Sequence, residues 1–109
     1  MNKNNLYKVV LVFSLTKGSA DEELSRSKEE TSFPNMLAKQ LGFVELELSK
    51  INDEKTMSVQ TWETEKHWWT ALETVKSQQE KLPADNTREN ILVSREFLNG
   101  YIMVHHHAT

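Results

Sequence analysis

An α+β arrangement in the order βαββαβ, with a four-stranded antiparallel sheet and both helices on one of its faces, is what this sequence predicts. Three observations carry the expectation. Leu6–Leu15 alternates with apolar residues on both faces, as a strand in the middle of a sheet does. Ser58–Val75 (SVQTWETEKHWWTALETV) runs from an alternating strand into a capped, one-sided helix and holds all 3 tryptophans. Between and around these two segments lie another helical pattern and two further alternating ones. This is the order of the ferredoxin-like split βαβ unit.

The first strand places Tyr7, Val9, Leu11, Phe13 and Leu15 on one face and Leu6, Val10 and Val12 on the other. Thr16–Gly18 is a turn. Ser19 with Glu22 three residues on forms a capping box that opens a first helix over Ala20–Glu30. That helix is highly charged, with Leu24 its single large apolar residue, and reads as a solvated face. Pro34 interrupts the pattern, so a second piece is expected over Phe33–Leu41, capped by Ser32 and stopped by Gly42. Phe33, Met36, Leu37 and Leu41 supply its apolar side.

Phe43–Ile51 is the second strand, with Val44, Leu46 and Leu48 opposed to Glu45, Glu47 and Ser49. Asn52-Asp53-Glu54 turns the chain into a third strand over Lys55–Trp62. Thr64 is the expected N-cap of the last helix, Glu65 sits where the helix dipole favours an anion, and the helix runs to about Leu82. Trp68, Ala71, Leu72 and Val75 recur at i, i+3, i+4 and i+7 and form its buried stripe, with His67 and Trp69 at the two edges. Pro83–Asn86 ends it, and Asp85-Asn86-Thr87 can cap one short turn. The fourth strand falls within Glu96–His106 and bends at Asn99-Gly100. The alternative is a hairpin at that Asn-Gly pair with Ile91–Phe97.

A chain of 109 residues is expected to form one domain, and it can bury a core without staples. It has no cysteine, which excludes disulfides and thiolate chemistry. The net charge is −3 and no Lys/Arg stripe forms, so nucleic acid is not an expected partner. The N-terminal run VVLVFSL is too short for a membrane span of about 20 residues, and Lys17 beside Gly18-Ser19-Ala20 argues against a secretory cleavage site. The expected location is cytoplasmic. His105-His106-His107 places at most two imidazoles on one strand face, an incomplete metal set, and is read as an exposed chain end.

Gly42-Phe43-Val44 leading into a strand, together with VQTWETEKHWW, resembles the antibiotic biosynthesis monooxygenase family, whose members are dimeric α/β-barrel proteins of about this length. The likeness implies a homodimer formed by pairing two sheet faces. Val10 and Val12 belong to that open face, and Trp62 is a candidate either for it or for a cleft between sheet and helices. The likeness further implies oxygenation of a small aromatic or quinone-like ligand without metal, haem or flavin. The substrate's own enolate or phenolate gives an electron to dioxygen, while the protein binds, deprotonates and excludes water. The family pattern has a Trp before the second helix, an Asn four residues earlier and a Tyr six residues later. Here Trp62 matches the Trp, Ser58 stands at the Asn position and Trp68 at the Tyr position. Ser58 and Trp62 on this match, with His67 at the edge of the helix stripe as a general base, are the candidate catalytic residues; Trp62 and Trp68, with Gln60 on the strand face of Trp62 and Trp69 at the stripe's other edge, are the candidate substrate-binding ones. A haem-degrading branch of the same fold looks for an Asn on strand one, a Trp within helix two and a His near its end. LVFSLTKG has no Asn, Ala71 stands at the Trp position and Lys81 at the His position, so haem degradation is not expected. A non-catalytic ligand-binding or stress-related dimer is the other reading.

Overall fold

The computed structural model describes residues 3–83 and 90–108. Its elements are β1 (Tyr7–Leu15), α1 (Ala20–Ser27), α2 (Phe33–Leu37), β2 (Phe43–Asn52), β3 (Lys55–Trp62), α3 (Glu65–Glu80) and β4 (Leu92–Tyr101). The strands form one antiparallel sheet in the order β2-β3-β1-β4, the ferredoxin-like arrangement. β1 lies between β3 and β4, which is why both of its faces carry apolar side chains.

The registers define the two faces. Val9 stands between Gln60 and Asn99, and Leu11 between Ser58 and Phe97, so these residues share the helix-covered face. Leu46 and Leu48 join them opposite Gln60 and Ser58. A bulge between Phe43 and Glu45 shifts the phase, so that Phe43, rather than Val44, continues this face opposite Trp62. Under the helices a buried cluster gathers Tyr7, Val9, Leu37, Trp62, Trp68 and Val75. Trp62 is fully buried, with Phe43 edge-on at 5.4 Å and Trp68 at 5.8 Å between ring centroids. Trp62 therefore belongs to the covered face and not to the open one.

Several local expectations are corrected. Ser19 does not cap α1: its hydroxyl bonds that of Thr16 at 2.6 Å, while Glu22 accepts from Arg26 at 3.0 Å, so both members of the capping box are engaged elsewhere. α1 ends at Ser27, and it is not merely a solvated face. Ala20 and Glu23 are buried. α2 stops at Leu37 in a succession of tight turns, which leaves Leu41 82% exposed. Ser32 does cap α2 through Asn35 N–H, and Thr64 caps α3 through His67 N–H. The fourth strand begins at Leu92 and ends at Tyr101, earlier than expected at both ends, and is one continuous strand. Asn99 and Gly100 pair in register with Val9 and Lys8, so the pair makes neither a bend nor a hairpin. The Asp85-Asn86-Thr87 cap lies outside the described residues.

Candidate functional site

Between the helix-covered face of the sheet and the three helices lies a cavity of about 410 Å³. That is within the range of roughly 300–1,000 Å³ typical of small-molecule sites. Its floor is β3, where the period of two turns Thr56, Ser58 and Gln60 the same way. Trp68 and Leu72 of α3 form the roof, Phe33 closes one side, and Phe97 of β4 stands at the opposite, exposed edge.

The floor is polar and ordered by a directional chain. The Trp62 indole N–H donates to Gln60 Oε1 at 3.0 Å, and Gln60 Nε2 donates to Ser58 Oγ at 3.2 Å. An indole can only donate, which fixes the amide: its oxygen must face Trp62 and its nitrogen must face Ser58. Ser58 Oγ accepts that bond, so its own hydrogen remains available as a donor. Thr56, Ser58 and Gln60 are all at least 96% buried, and so the chain is shielded from competing water.

The roof carries a second donor. Trp68 is 1% exposed, and its Nε1 has no hydrogen-bond partner among the described residues. A buried unpaired donor costs about 1–3 kcal/mol in an otherwise satisfied core. A bound oxygen acceptor would remove that cost.

The sequence-derived candidates divide between wall, backing and periphery. Ser58, Gln60 and Trp68 line the cavity. Trp62 does not reach the wall, so it acts on the site through Gln60 rather than as a stacking surface. His67 lies outside the cavity, its Nδ1 held by Thr64 Oγ1 at 2.7 Å and its ring packed over Gly42, which makes it a part of the α3 cap. Trp69 is 48% exposed and donates to Glu65 on the outer surface. Sequence reasoning missed Glu23, which α1 brings to the wall. The signal was present: Ala20, Glu23, Leu24 and Ser27 stand at i, i+3, i+4 and i+7, a helix face of small and amphipathic residues with a carboxylate among them.

His105 and His107 stack at 5.7 Å beyond β4, and among the described residues no group of three metal-ligating side chains occurs. Burial and the neighbouring Lys3 ammonium hold the His105 imidazole below its ordinary pKa. No helix among the described residues is long and apolar enough to cross a membrane.

No family model and no curated protein matches the chain. Among solved structures the fold recurs. One is a Bacillus cereus protein provisionally named an antibiotic biosynthesis monooxygenase, 18% identical over 95% of this chain and 97% of that one, TM-score 0.67. Another is SnoaB, a cofactor-independent oxygenase from Streptomyces nogalater, 14% identical over 93% and 96%, TM-score 0.67. A third is MhuD R26S with two manganese protoporphyrin IX molecules bound per active site, 12% identical over 94% and 99%, TM-score 0.76. The chain thus has the ferredoxin-like fold found in proteins named as antibiotic biosynthesis monooxygenases. Identities this low define shape alone. A porphyrin does not suit these particular walls, because the described lining residues include no His, Cys, Tyr or Met to ligate its iron.

Proposed function

We propose that this chain binds a flat phenolic or quinone-like aromatic in the cavity and oxygenates it with dioxygen, without metal or organic cofactor. The observation that carries the reading is the Trp62–Gln60–Ser58 chain. It leaves a buried hydroxyl with its hydrogen available to donate, as stabilising a phenolate or enolate oxygen requires. Trp68 and Phe97 supply apolar surface for the ring, and water excluded from the floor would otherwise compete for the oxyanion. In the simplest such reaction a CH₂ between two rings becomes a carbonyl, one oxygen atom being retained and the other leaving as water. The electrons come from the substrate's own enolate.

The second reading is a ligand-binding dimer with the same shell and no chemistry. It is favoured by the serine at position 58, which offers one donor where a carboxamide would offer two. Anthrones and quinols assayed for oxygen uptake, with tryptophan emission followed in parallel, separate the two. Under the leading reading Ser58→Ala lowers turnover by about 10²-fold, the usual loss of one oxyanion donor, while quenching by the ligand persists. Quenching without oxygen uptake in the unsubstituted protein transfers the assignment to the binding protein.

A further inference from the structure

Trp68 carries a buried donor that the described residues leave without an acceptor. The side chain lines the cavity, is 1% exposed, and has no hydrogen-bond partner at Nε1. The floor does not supply one. Trp62, whose ring centroid lies 5.8 Å from that of Trp68, donates to Gln60 Oε1, and Gln60 Nε2 donates in turn to Ser58 Oγ. Trp68 stands outside that chain. An indole N–H can only donate, so its complement is an acceptor atom on whatever fills the cavity.

The Ser58 hydroxyl hydrogen is a second donor, and it comes from the opposite wall: Ser58 from the sheet, Trp68 from the helix layer. A ring with a single oxygen can meet only one of the two. A para-quinone can meet both, because its carbonyl oxygens leave opposite edges of the ring and only accept. We infer that Trp68 is a specificity-determining residue of the cavity. Its N–H donates to a second ligand oxygen, across the ring from the one at Ser58, and the site selects a para-dioxygenated ring over a mono-oxygenated one. Such a ring stands edge-on between floor and roof, with its faces toward Phe33 on one side and Phe97 on the other. The inference rests on the reading that the cavity holds an oxygenated aromatic. In the reaction proposed above, the CH₂ of an anthrone lies across the ring from the existing oxygen, so Trp68 also meets the oxygen atom that arrives there.

The test titrates the protein with 1,4-naphthoquinone, with 1-tetralone, which keeps one of the two carbonyls, and with naphthalene. The indole N–H signals of the 3 tryptophans are followed in proton–nitrogen correlation spectra. Trp68→Phe identifies its signal by loss. If that variant fails to fold, Trp69→Phe and Gln60→Leu, which strips Trp62 of its acceptor, assign the other two. The Trp68 signal should move downfield with naphthoquinone and not with naphthalene, which has no acceptor. Naphthoquinone should bind about tenfold tighter than tetralone, the gain from satisfying one buried donor. Trp68→Phe should bring the two within about twofold, and Trp69→Phe should keep the preference. A preference that survives Trp68→Phe, or a Trp68 signal that naphthoquinone leaves in place while it binds, overturns the role of Trp68 and leaves the cavity reading standing. Absence of binding by all the compounds overturns both.

Discussion

Trp68 was expected at the head of a core stripe, and it is buried there, but it also roofs the cavity with an unpaired N–H. These two roles predict different costs for two substitutions. Trp68→Ala should lose about 3–5 kcal/mol in urea unfolding, the range for a buried large aromatic. Trp68→Phe should lose clearly less, because it removes the unpaired donor and keeps most of the apolar surface. A Trp68→Phe loss as large as that of Trp68→Ala would mean that phenylalanine does not recover the apolar contacts of the indole. Gly42 is a second residue whose chemistry is set by its surroundings. Its φ is +86° and a Cβ there would overlap the His67 ring. Gly42→Ala should cost more than the roughly 1–2 kcal/mol of left-handed backbone strain. Against an His67→Ala background the excess should vanish, which a double-mutant cycle measures.

Lys50 of β2 makes two polar contacts that tie neighbouring segments together. Its ammonium bridges Asp21 at the start of α1 (3.1 Å) and Asp53 in the β2–β3 turn (3.3 Å). The bond to Asp21, then that to Asp53, raises its pKa above the ordinary 10.5. A cation with a raised folded pKa stabilises fully below its unfolded value, and the contribution is lost as pH rises through the folded one. Tyr7 acts in the same alkaline window, because burial raises its pKa above 10.0 against the opposing bond from Asn99. Thermal stability should therefore fall as pH climbs past about 10. Lys50→Gln should flatten part of that fall and leave the part due to Tyr7. An unchanged alkaline profile would show that the bridge contributes nothing in solution, as happens with many exposed pairs.

For the whole molecule the open face of the sheet is decisive. Register aligns Leu98, Val10 and Val59 across three adjacent strands, with Val12 beside Met57 on the same face. Leu98 is 58% exposed, and the buried cluster under the helices takes in none of these residues. An apolar patch spanning three strands of a sheet is an interaction surface, and a two-fold axis would pair it with itself. Sedimentation equilibrium at micromolar concentration should give about twice 12.7 kDa. Val10→Glu, which puts a charge at the centre of the patch, should give monomers. A monomer in the unsubstituted protein would leave this face for some other partner.

Periodicity determined the order of elements, the buried stripe of α3 and the central place of β1, and residue type at the helix starts determined the N-caps at Ser32 and Thr64. Each of these depends on neighbours within a turn of helix or along one strand, which is information a linear sequence carries. The boundaries that slipped were those set by long-range pairing. β4 begins at Leu92 because β1 is there to receive it, and Asn99-Gly100 stays straight because Val9 and Lys8 hold it in register. The site was legible in its floor, since Ser58 and Gln60 share a face by simple alternation. Which tryptophan reaches the cavity was not legible, because Trp62 and Trp68 meet across two elements, and packing alone places one behind the other. Glu23 shows the same limit most sharply. Its helical spacing was in the sequence, but only the approach of α1 to the sheet turns a charged surface helix into a cavity wall.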